Sequence, residues 1–299
     1  MSERVAVLGA GAVGCYFGGM LARAGVPVTL IGRRAHVDVI KRDGLFIERS
    51  DFQEYIKVDA DTEIEAVRGS AIVCLCVKTI DTETAAAAVK PYLGDGAVLV
   101  SMQNGVDNVE RIRSATGIDA IPAVVYVAVA MSGPGRVKHS GRGDLILGGH
   151  PRVAAVFEQA GIPCRISDNI AGELWTKLVM NCTYNPISAI GQSRYSLLKN
   201  NPLTRDVMKR VVDEVVAVAK AAGVVMPDAE HLNNAVLKLG DAMANATSST
   251  AQDLARGKPT EIDSLNGYIV RRGAELGVPT PVNSTLHALV KLLEGKVTQ

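Results

Sequence analysis

The chain has 299 residues, of which 47% are hydrophobic and 21% are charged. This composition is typical of soluble globular domains and excludes an intrinsically disordered chain. Thirty-two basic and thirty-one acidic residues leave a formal charge of +1, so no overall field favours nucleic acid or an anionic membrane as a partner. No run approaches the roughly 20 apolar residues of a membrane span. Because the first residues also lack a signal-peptide pattern, we expect a cytoplasmic protein.

The cysteines and histidines show no metal-ligand spacing. The cysteines are odd in number, include no Cys-x-x-Cys pair and lie mostly inside apolar runs, so we interpret them as buried thiols. The histidines are scattered along the chain, and we therefore expect no metal site. The cysteines are Cys15, Cys74, Cys76, Cys164 and Cys182.

From residue 4 to about residue 167, short apolar runs alternate with helical stretches, which is typical of a parallel sheet covered by helices. The runs are rich in Val, Ile and Leu, as expected for strands buried on both faces. The predicted strands are 4–8, 27–31, 72–77, 97–101 and 120–129. We also predict helices over 12–24 and 81–89, a short β excursion over 43–58, and late antiparallel strands over 137–139 and 145–147.

After about residue 166 the strand signals stop, and apolar residues recur at the three- and four-residue spacing of helices. The predicted helices are 169–190, 203–222, 228–245, 261–276 and 282–294. Prolines lie at the joints, where proline can start a helix but cannot continue one. Length and this change of pattern predict two domains, 1–168 and 169–299.

A glycine pattern connects the first predicted strand to the first predicted helix. Gly9-Ala10-Gly11-Ala12-Val13-Gly14 matches Gly-x-Gly-x-x-Gly, in which the glycines permit a tight turn, approach of the backbone to a pyrophosphate, and close helix–strand packing. The alternative is a glycine-rich turn without a ligand. The strand-turn-helix context favours a dinucleotide site, and thus an α/β protein with an N-terminal Rossmann-type domain, a mostly parallel sheet and an all-helical C-terminal domain.

Two arginines follow the second predicted strand, where an NAD-specific site should offer an acidic residue to the ribose. The guanidinium of Arg33 could pair with a 2′-phosphate, which a carboxylate would repel. The position therefore favours NADPH over NADH. The alternative is that Arg33 and Arg34 form a solvated basic loop.

Polar residues follow two further predicted strands at their carboxyl ends, the edge where open α/β sheets bind ligands. Lys78 follows the strand 72–77, and Gln103-Asn104-Gly105 follows the strand 97–101. These residues would supply an ammonium and an amide where nicotinamide and substrate should meet. The alternative for Asn104-Gly105 is a simple turn, because this dipeptide readily adopts positive φ.

The predicted helix 169–190 carries three polar residues at or within its apolar arc: Lys177, Asn181 and Asn185. Burying such groups is costly unless they find partners, and a ligand is the simplest partner. The alternative is a Glu173–Lys177 pair at i, i+4 with structural amides. Pro186 should bend or end the helix there.

The segment 245–263 is polar and precedes the predicted helix 261–276. Ser248, Ser249 and Thr250 lie before a loop, and Thr260 is a plausible N-cap with Asp263 three residues later. On these residues alone, Glu261 could be no more than an acidic residue at the positive end of a helix.

Taken together, these segments resemble the ketopantoate reductase (2-dehydropantoate 2-reductase) family over essentially the whole chain. The block that resembles its catalytic helix is Glu173-Leu174-Trp175-x-Lys177-Leu178-x-x-Asn181-Cys182-x-x-Asn185-Pro186. The blocks that resemble its substrate segment are Ser248-Ser249-x-x-Gln252-Asp253 and Thr260-Glu261-Ile262-Asp263-x-x-Asn266-Gly267.

The resemblance implies NADPH-dependent reduction of ketopantoate to D-pantoate, a step of pantothenate and coenzyme A biosynthesis. It implies that Lys177 donates the proton and that Asn104 contacts both cofactor and substrate. It further implies substrate contacts for Asn181, Asn185 and Ser249, and cofactor contacts for Arg33, Lys78, Ala128 and Glu261.

One position departs from the family pattern: Tyr195 stands where the family has another substrate-binding asparagine. This departure keeps open a paralogue that reduces a different small 2-oxo acid. A second alternative is a non-catalytic NADPH-binding sensor, although such a protein would not need the polar residues of the predicted helix 169–190. The long helices of the second half are compatible with a homodimer.

Overall fold

The computed structural model describes residues 3–297, with side chains described as far as residue 295. Its internal contacts divide the chain into two compact units that meet in sequence between Ile170 and Ala171. The first unit contains a sheet flanked by helices. Within the described residues the second unit consists of helices and the turns that join them. The predicted fold class, α/β followed by an all-helical region, is confirmed.

Six strands of the first unit form a continuous parallel array. Its spatial order is β5-β2-β1-β6-β7-β8, which is the strand order of doubly wound dinucleotide-binding sheets. The strand β5 has no apolar pattern and was not predicted. It is held by main-chain pairing with β2, from Thr29 with Asp59 to Ile31 with Asp61. The strands are β1 (Val5–Leu8), β2 (Val28–Ile31), β5 (Asp59–Asp61), β6 (Ile72–Leu75), β7 (Val98–Ser101) and β8 (Ile121–Gly133).

The sheet continues beyond β8 through an antiparallel pairing with β9. The predicted late strands 137–139 and 145–147 are both parts of β9, so their separation was wrong. The intervening polar residues, Ser140, Arg142 and Asp144, are exposed or half-buried, so this part of the strand shows no apolar run. The excursion at 43–58 is a hairpin of β3 and β4, with β3 parallel to β9. These strands are β9 (Arg136–Leu147), β3 (Leu45–Glu48), β4 (Gln53–Ile56) and β10 (Cys164–Ile166), the last of which also pairs with β9.

Both faces of the central strands are covered. In β1, Val5 and Val7 pack into one apolar cluster and Ala6 and Leu8 into another, as the two-residue period of a strand requires. The helices of this unit are α1 (Ala12–Arg23), α2 (Arg34–Asp43), α3 (Thr82–Val89), α4 (Asn108–Thr116) and α5 (Pro151–Gln159). Only α1 and α3 were predicted; α2 and α4 bury few apolar residues among several charged ones, whereas α5 buries four apolar residues in a helix of only nine.

The second unit contains α6 (Ile170–Gly191), α7 (Tyr195–Asn200), α8 (Pro202–Ala221), α9 (Ala229–Ala242), α10 (Ser249–Ala255), α11 (Asn266–Leu276) and α12 (Pro281–Val297). Pro202 and Pro281 are the first residues of their helices, as expected. Pro186 lies inside α6, so of the two expected outcomes, a bend or an end of the helix, the end is wrong. The short helices α7 and α10 were not predicted. Among residues 3–297, no helix is long and apolar enough to span a membrane.

Candidate active site

Four candidate segments of the first unit follow neighbouring parallel strands. Strands β2, β1, β6 and β7 pair in register, so their carboxyl ends lie at one edge of the sheet. Main-chain bonds connect the segments directly: the N–H groups of Gly9 and Ala10 donate to the carbonyl of Ile31, at 2.8 and 3.0 Å, and that of Cys76 to Leu8, at 2.8 Å. The structure thus gathers the glycine turn, Arg33, Lys78 and Asn104 at this edge.

Two glycines of the turn are required by the fold itself. Gly9 has a φ of +112°, and a Cβ there would lie 2.7 Å from the carbonyl carbon of Cys76. A Cβ on Gly14 would lie 2.2 Å from the carbonyl oxygen of Gly9. These contacts match the tight turn and the close helix–strand packing expected of the first and third glycines.

Gly11 is different, because nothing in the fold demands a glycine there. Its φ of −88° suits any residue, and no atom lies within 4 Å of the position that its Cβ would take. The open space beside its backbone is what a pyrophosphate would need in order to approach the main chain. Gly11 is also the N-cap of α1, whose first turn has no side-chain cap and no acidic residue. The positive end of this helix is therefore available to an anion, beside Ala12 and Val13.

Arg33 is exposed and stands directly beside the glycine turn. The preceding residue, Gly32, lies against Ala10, since a Cβ on Gly32 would be 2.5 Å from the Ala10 Cβ. Arg33 is the N-cap of α2, and Arg34 is the first residue of that helix. The two arginines therefore begin a helix whose first turn has no acidic residue, rather than lying in a loop.

Buried polar side chains join the loop that carries Lys78 to the loop that carries Asn104. Gln103 donates to the carbonyl of Val77 at 3.2 Å and to the Thr82 hydroxyl at 2.8 Å. The Thr79 hydroxyl donates to the carbonyl of Asn104 at 2.9 Å. Lys78 and Asn104 are half-buried. Gly105 has a φ of +96°, so the residues also form the turn that was the alternative interpretation.

Thr79 and Thr82 were missed in the sequence analysis; both are buried, Thr79 in the turn that follows β6 and Thr82 as the first residue of α3. Ala128 was expected to line the nicotinamide pocket. It lies half-buried in β8, opposite Gly141 of β9, on the part of β8 that runs past the carboxyl end of β7.

In the second unit, α6 presents Lys177, Asn181 and Asn185 one turn apart along one side. Lys177 and Asn181 are half-buried, and Asn185 is 4% exposed. The prediction that these polar groups avoid the wet face of the helix is confirmed. The amide and ammonium groups of these residues can donate hydrogen bonds to an anionic or carbonyl-bearing ligand.

Ser248 attaches the segment that carries Ser249 to α6. Its hydroxyl donates to the carbonyl of Asn185 at 3.2 Å and accepts from the N–H of Ala251 at 3.0 Å, which makes it the N-cap of α10. The N–H of Ser248 also donates to the Ser188 hydroxyl at 3.1 Å. Ser249, the predicted substrate residue, is the exposed first residue of α10.

Glu261 lies in a segment that is hydrogen-bonded to α12 through Thr260 and Asp263. We call these contacts the clamp. The N–H and hydroxyl of Thr260 donate to Glu294, at 2.7 and 2.5 Å. The carboxylate of Asp263 accepts from His287, at 2.7 Å, and from Lys291, at 2.9 Å. The Thr260 hydroxyl accepts from the N–H of Ile262 at 3.2 Å, as the predicted N-cap would, but Asp263 binds to α12 and does not complete a capping box. A 3-10 turn spans Ile262–Ser264, and α11 begins only at Asn266.

The two acidic residues of this clamp titrate below their ordinary range. Burial raises the pKa of the Glu294 carboxyl, but hydrogen bonds from Lys291 and Thr260 outweigh that effect, and the pKa is lowered. For Asp263, burial likewise raises the pKa, and His287 and Lys291 lower it by more. Both groups are thus held as carboxylates.

The surroundings of the cysteine thiols make them unreactive. All are unpaired, and Cys76 alone is half-buried rather than buried. Burial raises the pKa of Cys15 and Cys74 to about 12, so these thiols stay protonated at neutral pH. Within residues 3–297, no three His, Cys, Asp or Glu side chains come close enough to hold a metal ion.

Both compact units match models of known protein families. Residues 5–152 match the family model "Ketopantoate reductase PanE/ApbA", and residues 169–294 match "Ketopantoate reductase PanE/ApbA C terminal". The chain belongs to the ketopantoate reductase PanE/ApbA family. The family resemblance predicted from the residues is therefore confirmed.

Individual relatives agree with this family membership. A curated 2-dehydropantoate 2-reductase of Pyrococcus horikoshii is 33% identical, over 97% of each chain. The crystal structure of a PanE/ApbA family ketopantoate reductase from Ralstonia eutropha JMP134 is 49% identical, with a TM-score of 0.95 over 99% of this chain and 100% of that one. A D-mandelate dehydrogenase solved with NADH and anilino(oxo)acetate has a TM-score of 0.92 over 99% of each chain, but its 24% identity shows the fold alone.

The glycine turn of this family member yields a matched pair of substitutions. We expect Gly11→Ala to fold normally and to raise the dissociation constant of a nicotinamide dinucleotide at least about tenfold, because the added methyl group occupies the approach to the backbone. Gly14→Ala should instead lower the free energy of unfolding by about 1–3 kcal/mol, as overpacking does. Thermal unfolding by circular dichroism and a nucleotide titration would measure both. A Gly11→Ala variant that binds the nucleotide as tightly as the parent protein would contradict the predicted role of this turn.

The clamp on the Glu261 segment predicts a dependence of stability on pH. Because the pKa of Glu294 is lowered by folding, its contribution is present above the unfolded value of about 4.3 and is lost as the pH falls through the folded value. Glu294→Gln should lower the free energy of unfolding at pH 7 by about 0.3–1 kcal/mol, and the difference should shrink below about pH 4.3. Urea unfolding can be followed by Trp175, the only tryptophan, which lies in α6.

The matched control for this experiment is Glu275→Gln. Glu275 pairs with Arg272 on α11 at 2.8 Å, and its side chain is 61% exposed, so its effect should be small at every pH. A loss in Glu294→Gln that stays constant from pH 7 down to about pH 3, well below the unfolded value, would show that the charge of Glu294 does not hold the clamp.

Proposed function

We propose that the chain reduces 2-dehydropantoate (ketopantoate) to D-pantoate with NADPH, a step of pantothenate and coenzyme A biosynthesis. The observation that carries the proposal is α6, in which an ammonium and two amides occupy one partly buried side of a helix that matches the family's C-terminal model. Full-length curated relatives that are named 2-dehydropantoate 2-reductase support it.

In this proposal the residues of the first unit hold the cofactor. The backbone of the glycine turn and the N-terminus of α1 bind the pyrophosphate, and Arg33 pairs with the 2′-phosphate. Lys78, Asn104 and Ala128 line the nicotinamide, and Glu261 of the second unit also contacts the cofactor. When bound, NADPH supplies the hydride that is added to the C2 carbonyl carbon of the substrate.

In this proposal Lys177 is the general acid that protonates the carbonyl oxygen of the substrate. As C2 becomes tetrahedral, negative charge develops on the carbonyl oxygen, and the Lys177 ammonium first attracts that charge and then transfers a proton from Nζ to the oxygen. The products are a secondary alcohol and a neutral amine, which regains its proton from water. Asn181, Asn185, Ser249 and Asn104 supply the neutral donors and acceptors that orient the carboxylate and hydroxyl of the substrate.

A second candidate is reduction of a different small 2-oxo acid, and Tyr195 favours it. Where the family has an asparagine, this chain places a ring that is 7% exposed and stacks on Tyr184 with a centroid distance of 4.1 Å. Burial raises the pKa of Tyr195 to about 12, so the phenol is neutral. Steady-state kinetics with ketopantoate and a panel of 2-oxo acids, with NADPH and with NADH, would rank the candidates by kcat/KM.

The proton donor can be tested by Lys177→Ala. We expect kcat to fall by about 10²- to 10⁴-fold, the usual contribution of a positioned acid, while the dissociation constant of NADPH changes less than about threefold. Lys209→Ala is the matched control, since this lysine pairs with Asp213 on the exposed side of α8. If Lys177→Ala kept most of its turnover, Lys177 would have no part in the chemistry.

The cofactor preference can be tested by Arg33→Ala. We expect the dissociation constant of NADPH to rise about ten- to a hundredfold, because paired hydrogen bonds to a phosphate are lost, and that of NADH to change little. Arg34→Ala, at the next exposed position, separates a general loss of positive charge from loss of a specific contact. Equal losses for both nucleotides would contradict the assignment of Arg33.

The alternative from another functional class is a non-catalytic NADPH-binding sensor. Tight binding of NADPH without its oxidation by any 2-oxo acid would favour that alternative. A homodimer and a cytoplasmic location stay predictions from the sequence.

A further inference from the structure

The helix that carries the proposed substrate residues contains a proline in its interior. Pro186 has no N–H, so the carbonyl four residues earlier, that of Cys182, loses its partner within α6. Cys182 is fully buried, which keeps water from replacing the missing donor. A buried carbonyl without a donor is costly, and a donor from elsewhere in the fold is therefore required.

Asn266 supplies that donor. It is the first residue of α11, it is 0% exposed, and its side-chain Nδ2 donates to the carbonyl oxygen of Cys182 at 3.0 Å. Asn266 Oδ1 accepts no hydrogen bond from any residue that the structure describes. An apolar residue would fill the same space without this unsatisfied oxygen, so the donor group is the reason for an amide here.

A carboxylate fixes the orientation of this amide. Asn266 Nδ2 also donates to Asn283 Oδ1 at 2.9 Å, and Asn283 Nδ2 donates to Glu214 at 2.7 Å. Because an ionised carboxylate only accepts, Asn283 must turn its nitrogen to Glu214 and its oxygen to Asn266. Asn266 must then present its nitrogen to Cys182. Glu214 is itself held by the N–H groups of Val282 and Asn283 at the start of α12, at 2.8 and 2.9 Å.

The bonded carbonyl lies between the residues that are proposed to hold the substrate. Cys182 directly follows Asn181 and precedes Asn185 by less than one turn. The proline ring excludes the normal helical bond here, so the helix geometry at this point depends on what the Cys182 carbonyl bonds to instead. The angle between the part of α6 with Lys177 and Asn181 and the part that begins at Asn185 is therefore set from outside the helix.

We propose that Asn266, oriented by Asn283 and Glu214, is a positioning residue that fixes α6 at Pro186 and so aligns Asn181 with Asn185 for the substrate. This inference rests on the proposed reductase function for its kinetic consequence. It assigns no contact with the substrate to Asn266 itself.

A double-mutant cycle between Asn266→Leu and Pro186→Ala tests the inference. Asn266→Leu removes the donor at similar volume, and Pro186→Ala restores an N–H that the Cys182 carbonyl can accept. We expect Asn266→Leu alone to lower kcat/KM for the 2-oxo acid about tenfold, with the dissociation constant of NADPH within about twofold. In the Pro186→Ala background the same substitution should lower kcat/KM less than about threefold.

The parent protein, the two single variants and the double variant are to be assayed under conditions in which Trp175 fluorescence shows that they are folded. Their kinetics then report the geometry of the site and not a loss of folded protein. Asn233→Leu is the matched control, because this amide donates to the carbonyl of Ala229 at 2.8 Å on α9, outside the network, and its loss should leave kcat/KM unchanged. If Asn266→Leu does not fold, Glu214→Gln can replace it, because this variant keeps the packing but no longer fixes the orientation of Asn283. We expect it to lower kcat/KM by less than Asn266→Leu would. Pro186→Ala should suppress this loss as well.

Hydrogen exchange of the α6 amides gives a readout that needs no substrate. Asn266→Leu should speed exchange around Pro186, and Pro186→Ala should reverse the increase. Equal kinetic losses of Asn266→Leu in both backgrounds would overturn the positioning role, even with full reductase activity in the parent protein. Coupled exchange without turnover of any 2-oxo acid would support the hold on α6 and would overturn the reductase assignment instead.

Discussion

The parallel pairing of four strands decides where the first unit can bind a ligand. Because β2, β1, β6 and β7 run in one direction, the segments that follow them all emerge at one edge of the sheet. The turn at Gly9 lies so close to the main chain of Cys76 that no side chain fits between them. The relative positions of Arg33, Lys78 and Asn104 are thus fixed by backbone pairing and buried amides, before any ligand contributes.

The second unit solves a different problem, because its candidate residues lie on a helix instead of at strand ends. A helix places side chains by its period, which puts Lys177, Asn181 and Asn185 on one side of α6. Pro186 leaves the carbonyl of Cys182 without its partner within α6. Asn266 donates to that carbonyl, and Ser248 adds a second contact to α6 at the carbonyl of Asn185. The helix thus carries the functional groups, while α10 and α11 hold it in place.

Much of this arrangement could be predicted from the sequence, because its signals are local. The glycine turn is recognisable from its spacing between a buried strand and a helix, and α6 from its period and its polar residues. The strand β5, in contrast, is an Asp-Ala-Asp segment that pairs only because β2 leaves an edge beside it. The helix α2 buries only Val37 and Ile40, so its many charged residues concealed its period.

The supporting residues could not be predicted for a related reason. Gln103 and Asn266 bond to main-chain atoms of segments that are distant in sequence or separated by a loop, and Glu294 reaches Thr260 across 34 positions. A motif records which groups face a ligand, whereas the choice of a buried amide depends on a carbonyl that another element leaves unpaired. Pro186 is the one local hint, since a helix that continues through proline must find an outside donor for its Cys182 carbonyl.

Tyr195 shows how far one departure from a family pattern can extend into a fold. Its ring stacks on Tyr184, and the Tyr184 hydroxyl donates to the carbonyl of Val236 on α9 at 2.8 Å. Gly240 leaves room for that hydroxyl, because a Cβ there would lie 2.3 Å from it. An asparagine at position 195 would leave the Tyr184 ring without its stacking partner in a close-packed region. The side chain at this position therefore couples any substrate preference of α6 to the packing of α6 against α9.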